Sequence, residues 1–349
     1  MGVELSVRSL FETSSVAGLA RQIEGQLRAG KERTMPPLVT MPRKQDLPLS
    51  FAQQRLWFMD RLQPESTAYQ GTEVLHFHGV LNARVLERSL EKLMHRHEIL
   101  RTTFAVQAGE PMQVIHPAAR YYLPVIDLSG LKQEQGALQA RQVARQDARH
   151  PCNLDKGPLL RVHLLRLEMQ EHRVLLTIHH IITDGWSNEV LMHELTQLYE
   201  AYVAGRSSPL APLPLQYADY ALWQREWLQG EVLETQLAYW RKQLAGITPL
   251  KLSVNRPHLS AESQQAGTST FVVPTHLCEA LKRLSSQEQV TGFMTFLAAF
   301  QILLHYYSGQ DDIVVGTDVA NRHQVELEGL VGFFVNQLVL RVNLSGNPT

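Results

Sequence analysis

Cysteine is scarce in this 349-residue chain: there are two, Cys152 and Cys278. They lie far apart and form neither a metal-binding nor a redox spacing, which excludes a disulfide scaffold and a cysteine-built zinc site. An excess of one charge is also missing, because 33 Lys and Arg face 34 Asp and Glu, for a formal net charge of -1. With no basic run, nucleic acid is not expected as the main ligand. No apolar run is long enough for an uninterrupted membrane span, and the N-terminus lacks the basic-then-apolar layout of a signal peptide. A cytosolic location is therefore expected. At 44% hydrophobic and 19% charged residues, the composition is that of a globular protein able to bury one large or two medium cores.

What the chain does have is an unusual stretch from Val174 to Ser187, VLLTIHHIITDGWS. A run of apolar and β-branched residues reads as a buried strand, and Thr183, Asp184 and Gly185 form a polar turn before a helical pattern. Strand alternation puts Val174, Leu176, Ile178 and His180 on one side and Leu175, Thr177 and His179 on the other. The two histidines therefore cannot share one role. An imidazole at a strand end, with a carboxylate four residues on, suits proton transfer near neutral pH. His193 follows on the next helix, one turn after Glu189, but His179 and His180 face opposite ways and no third ligand joins them, so no metal is expected.

Upstream, residues 1–28 scatter apolar residues and then place Val16, Leu19, Ala20, Ile23 and Leu27 at helical spacing. Such a stripe must dock on something, since one short helix buries nothing alone. Residues 29–46 are polar and proline-bearing and read as a linker. A domain opens at Leu47. Ser50 caps a helix with Leu56 and Met59 inward, Glu73 to His78 alternate as a strand, and a helix from Ala83 carries Leu86, Leu90, Leu93 and Met94 on one stripe. Strand-like runs at Met112–Ile115 and Leu159–Leu167 flank a charged helix, Gln133–Arg149, and a hairpin signal at Met169–His172 makes the histidine strand antiparallel to its neighbour. Past the turn, Ser187 is read as capping a helix with Leu191, Leu195, Leu198 and Tyr202 inward, closed by Gly205.

From Gln216 a helix is expected to run to about Leu244, with Tyr217, Tyr220, Trp223 and Trp227 as a packing wall. The C-terminal part reads as a strand over Thr268–Val273, an amphipathic helix over His276–Leu284, a buried, almost wholly apolar helix over Thr291–Tyr307, and a strand over Asp312–Thr317.

Several segments resemble one family. The H-H-x-x-x-D-G of His179 to Gly185 resembles the active-site signature of nonribosomal peptide synthetase condensation domains, which belong with thioester-using acyltransferases related to chloramphenicol acetyltransferase. LSFAQQRLWFMDRL (Leu49–Leu62), RHEILRTTF (Arg96–Phe104), QYADYALWQ (Gln216–Gln224), GTDVANR (Gly316–Arg322) and LVGFFVNQLVLR (Leu330–Arg341) resemble further signatures in the family's order. Residues 1–28 resemble the C-terminal end of a peptidyl carrier domain, without its phosphopantetheine attachment serine.

The resemblance implies a mixed α/β (α+β sandwich) protein of two chloramphenicol-acetyltransferase-like lobes in a pseudo-dimeric V arrangement around a channel. The domains are then a carrier tail (1–28), a linker (29–46), an N-terminal lobe (47–224) and a C-terminal lobe (225–349) in which the later signatures are missing. It implies amide formation between a donor acyl thioester and the α-amine of an acceptor aminoacyl thioester. Both substrates would ride on 4'-phosphopantetheine arms of upstream and downstream carrier domains, beside an adenylation domain, with no cofactor bound covalently to this chain. His180 is then catalytic, with His179, Asp184 and Gly185 around it; Asp184 shapes the loop through an ion pair with Arg101 first and Arg55 second, and Gly185 amides face an oxyanion. Trp186 and Ser187 complete the motif, and Asn336 is the polar group from the second lobe. Epimerisation, acyl-CoA-dependent transfer and a non-catalytic docking role are the alternatives, and Gly-Trp-Ser after Asp184 favours condensation over epimerisation.

Overall fold

Short polar side chains set where most helices start. In the computed structural model, which describes residues 15–28, 35–43, 46–252 and 269–346, α1 (Val16–Arg28) is followed by α2 (Phe51–Leu62). Ser50 opens α2 with a capping box: its hydroxyl accepts the Gln53 amide and Gln53 Oε1 accepts the Ser50 amide, both at 3.1 Å. β1 (Gln70–His78) leads to α3 (Ala83–Arg96), capped by Asn82 and burying Leu86, Leu90 and Leu93. The hairpin β2 (Thr102–Gln107) and β3 (Glu110–Ile115) turns at Ala108 and Gly109, both at positive φ. Then come β4 (Val125–Asp127), α4 (Gln133–Arg149), β5 (Leu160–Arg166), β6 (Glu171–His179) and α5 (Gly185–Val203), which ends at Gly205 with φ +69°. α6 (Tyr217–Trp227) and α7 (Gly230–Gln243) replace the one long helix expected from Gln216. Gly230, at φ +55°, starts the second of them.

These elements form two compact units: residues 1–233 with 320–335, and residues 234–319 with 336–349. The first is built on a four-stranded sheet of order β1-β6-β5-β4, in which β6 runs antiparallel to β1 and β5 while β4 joins β5 in parallel. Val162, Leu164, Val174, Leu176 and Ile178 lie in the main core with the inner stripes of α3 and α5; Leu165 and Leu175 lie in a smaller one with Leu128 and Ala140, the last on α4. Because β6 is covered on both faces, it is an almost continuous apolar run rather than an alternating one. Residues 35–43, read as linker, carry no regular structure but are tied down. Trp223 donates to the Pro36 carbonyl (2.7 Å), and Arg43 pairs with Asp219 (2.6 Å) and Glu98 (2.9 Å).

The second unit holds α8 (Thr275–Gln287), α9 (Gly292–Ser308) and an antiparallel pair, β7 (Asp312–Val319) with β8 (Asn336–Asn343). Arg341 and Asp312, cross-strand neighbours near the far end of the pair, are joined by two 2.8 Å hydrogen bonds. The strand expected over Thr268–Val273 is not formed over the described residues 269–273, where Phe271 and Val272 are more than 80% exposed. The burial expected of the apolar helix also fails: on α9 only Gln301 and Leu304 are buried, and Phe293, Phe296, Ile302 and Tyr306 are exposed. Among the described residues of this unit, α8 and β7 pack on α9, and they cover only part of its surface. Of residues 1–28, only 15–28 are described; Val16, in the expected docking stripe, is 87% exposed. Among the described residues no single helix is long and apolar enough to cross a membrane.

Candidate functional site

β6 ends one residue earlier than the strand alternation implies. His179 is its last residue, and His180 opens a short 3-10 turn through Ile182. The turn, and not the strand pleat, therefore aims His180. Its amide donates to the Tyr69 carbonyl (2.8 Å), and Gln53, wholly buried on α2, donates to the Ile181 carbonyl (3.1 Å). Gln53 lies inside the Leu49–Leu62 motif, yet nothing in its spacing marks it as a loop support.

The two imidazoles differ as expected. His179 is 4% exposed, and its Nδ1 accepts the Ile181 amide (3.0 Å), which leaves the proton on Nε2. Burial, helped by the neighbouring His180, pulls its pKa down to about 4. His180 is only half-buried, with its ring 6.5 Å from that of Phe333. It is the more exposed histidine of the pair.

Asp184, 1% exposed, is saturated by the protein. It is the N-cap of α5, the place the sequence reading gave to Ser187; Oδ1 accepts the Ser187 amide (2.8 Å) and hydroxyl (2.7 Å), and Oδ2 accepts the Phe334 amide (2.9 Å). The helix dipole adds to the attraction. The expected ion pair exists, but its partner is Arg322, at 3.3 Å, both side chains being 1% exposed. Arg101 lies elsewhere: it donates to the His116 carbonyl and sits 3.8 Å from Glu98. Arg55 is exposed on α2. An exposed or half-exposed arginine keeps its own hydration, whereas Arg322 has exchanged it for fixed acceptors. Those acceptors include the Leu327 and Leu330 carbonyls and the Ser187 hydroxyl (2.8 Å), and the guanidinium lies 4.0 Å over the Phe334 ring.

Arg322 belongs to residues 320–335, which fold with the first unit and clamp the loop from the outside. Ser187 Oγ lies 2.8 Å from the Gly332 carbonyl, and Trp186 donates to the Glu328 carbonyl (2.9 Å). The buried Tyr217 hydroxyl donates to the Phe333 carbonyl (2.5 Å), so Ser50 Oγ, at 2.7 Å, donates to it in turn. Gly332 has a steric reason: a Cβ there would lie 1.8 Å from Tyr217 Cδ2. The GTDVANR and LVGFFVN segments were visible as motifs, but their common target was not. Asn336, at the start of β8, is exposed, and its Oδ1 accepts the Gln337 amide (3.0 Å). The aromatic wall of α6 is packing: Tyr220 and Trp223 stack at 6.0 Å, and Trp223 and Trp227 at 5.1 Å.

The arrangement can do one kind of chemistry. It presents a reachable imidazole on a loop that buried groups hold still, beside a helix start. In the first turn of α5 the Ser187 amide is taken by Asp184 Oδ1 and the Asn188 amide by the Asp184 carbonyl. The amides of Gly185 and Trp186 precede them and have no partner within the helix. No group of three or more metal-ligating side chains occurs among the described residues.

The family model for the condensation domain matches residues 43–349. The chain is 49% identical over 349 residues to a linear gramicidin synthase of Brevibacillus parabrevis, covering 100% of this chain and 4% of that relative. Among solved structures, the X-domain from teicoplanin biosynthesis superposes with a TM-score of 0.80 at 30% identity, covering 90% of this chain and 69% of that one. The X-domain in its complex with OxyB gives a TM-score of 0.80 at 31% identity and the same coverage.

Proposed function

Because the chain belongs to the condensation-domain family, matched across residues 43–349, we propose that it forms amide bonds within a nonribosomal peptide synthetase, with His180 at the reacting centre. The observation that carries this is the contrast on one loop: His180 is only half-buried, while His179 and Asp184 are buried and spent on structure. Donor and acceptor arrive as thioesters on the phosphopantetheine arms of carrier domains, in a cytoplasmic assembly that also contains an adenylation domain. The acceptor amine attacks the donor carbonyl carbon, the C–S bond breaks, and the thiol leaves with a proton. His180 takes or orients the proton that the amine sheds, an effect worth about 10²- to 10⁴-fold. Holding both tethered substrates in register contributes alongside it. The Gly185 and Trp186 amides, pointing from a helix N-terminus, are the donors for the oxyanion. Asp184 and Arg322 are positioning residues.

A docking role is the second reading, favoured by the likeness to an X-domain solved in complex with OxyB. A single-turnover assay with two loaded carrier domains separates the readings. An amide product that falls with His180→Ala supports condensation. An inverted donor, a product made only from acyl-CoA, or no product with intact carrier binding would assign epimerisation, CoA-dependent transfer or docking.

A further inference from the structure

β4 covers β5 only from Leu164 onward, since its first residue, Val125, pairs there. Residues 160–163 of β5 therefore leave one sheet edge open, and along it lies a cavity of about 600 Å³ within the first unit, a size that suits a small organic ligand. Its walls are apolar, with Met94, Leu100, Tyr121 and Val162 among them. Its charged lining is of one sign: Arg101, Arg120, Lys156 and Arg161, with no carboxylate. Of these, Arg161 is satisfied by Asp147, the His150 carbonyl and Cys152. The others are less fully engaged. Arg101 donates to the His116 carbonyl and reaches Glu98 at 3.8 Å, but its buried Nε has no hydrogen-bond partner among the described residues. Arg120 lies over the Tyr122 ring at 5.1 Å, and neither it nor Lys156 forms an ion pair among the described residues; both are exposed.

Cations lining one apolar hollow, with no carboxylate among the lining residues, give it a positive potential that favours an anion. We propose that this cavity is a binding site for a small amphipathic anion, with a carboxylate or phosphate head between Arg101, Arg120 and Lys156 and an apolar body against Tyr121 and Val162. His180 is not among the residues lining it, so the site is separate from the reacting loop and independent of the function proposed for that loop.

Calorimetric titration of the full chain with octanoate, octyl phosphate and the uncharged octanol tests this. Binding of either anion, weakened about tenfold or more in the double variant Arg120→Glu/Lys156→Glu at unchanged melting temperature, is the expected result. Preference for octanoate or octyl phosphate assigns the head group, and both are supporting outcomes. Octanol binding as tightly as the anions, binding indifferent to the double variant, or no binding of either anion overturns the proposal. Since both substituted residues are exposed, the variant should fold.

Discussion

Replacing Arg322 by methionine should be among the most damaging single changes to the first unit, although Arg322 touches neither histidine ring. The side chain is 1% exposed, as is Asp184. Methionine removes the cation while the carboxylate stays buried. Breaking a buried pair from one side costs about 3 to 5 kcal/mol, because the remaining charge has lost its counter-charge. Asp184 keeps the Ser187 and Phe334 amides, which holds the figure to that range, but the Leu327 and Leu330 carbonyls also lose their donor. The same substitution at Arg101, about 20% exposed and 3.8 Å from Glu98, should cost about 1 kcal/mol or less. Four of the five tryptophans, Trp57, Trp186, Trp223 and Trp227, lie in the first unit and Trp240 lies in the second, so tryptophan fluorescence during guanidinium denaturation follows chiefly the first. A shift of about 3 kcal/mol or more for Arg322→Met, with little for Arg101→Met, is expected. Equal shifts, or a larger one for Arg101→Met, would refute the assignment of Arg322 as Asp184's partner.

Three other outcomes follow from the same geometry. His180→Ala should lower amide formation about 10²- to 10⁴-fold with the denaturation midpoint nearly unchanged, and His179→Ala should do the reverse; single-turnover rates and melting curves read the two effects. His179, with a folded pKa of about 4 against 6.5 when unfolded, stays neutral in the fold, so below pH 6.5 the unfolded chain binds the extra proton. Its contribution is complete above pH 6.5 and declines by about 3 kcal/mol as pH falls to 4, the slope being absent in His179→Phe if that variant folds. Gly332→Ala should destabilise the first unit by about 2 kcal/mol or more through collision with Tyr217, relieved in the double variant with Tyr217→Ala relative to the two single costs, as a double-mutant cycle in melting experiments will show.

Local features of the chain were legible because their causes are local. The Ser50 cap, the bounds of Gln133–Arg149, the hairpin joining β5 to β6, and the Gly205 helix end each follow from a few neighbouring residues whose dihedrals and side-chain hydrogen bonds select one conformation. So did the difference in exposure between His179 and His180, and the need of Asp184 for an arginine. Which arginine it was, the sequence could not say. Arg322 stands 138 residues away, and an ion pair is chosen by the desolvation and approach that tertiary packing imposes, not by spacing. Residues 320–335 likewise read as a strand exit and a motif, and only the fold showed them closing over the histidine loop. α9 marks the same boundary from the other side. Its composition determined a helix apolar on every side, but burial belongs to the neighbours that cover a surface, and those are settled in three dimensions.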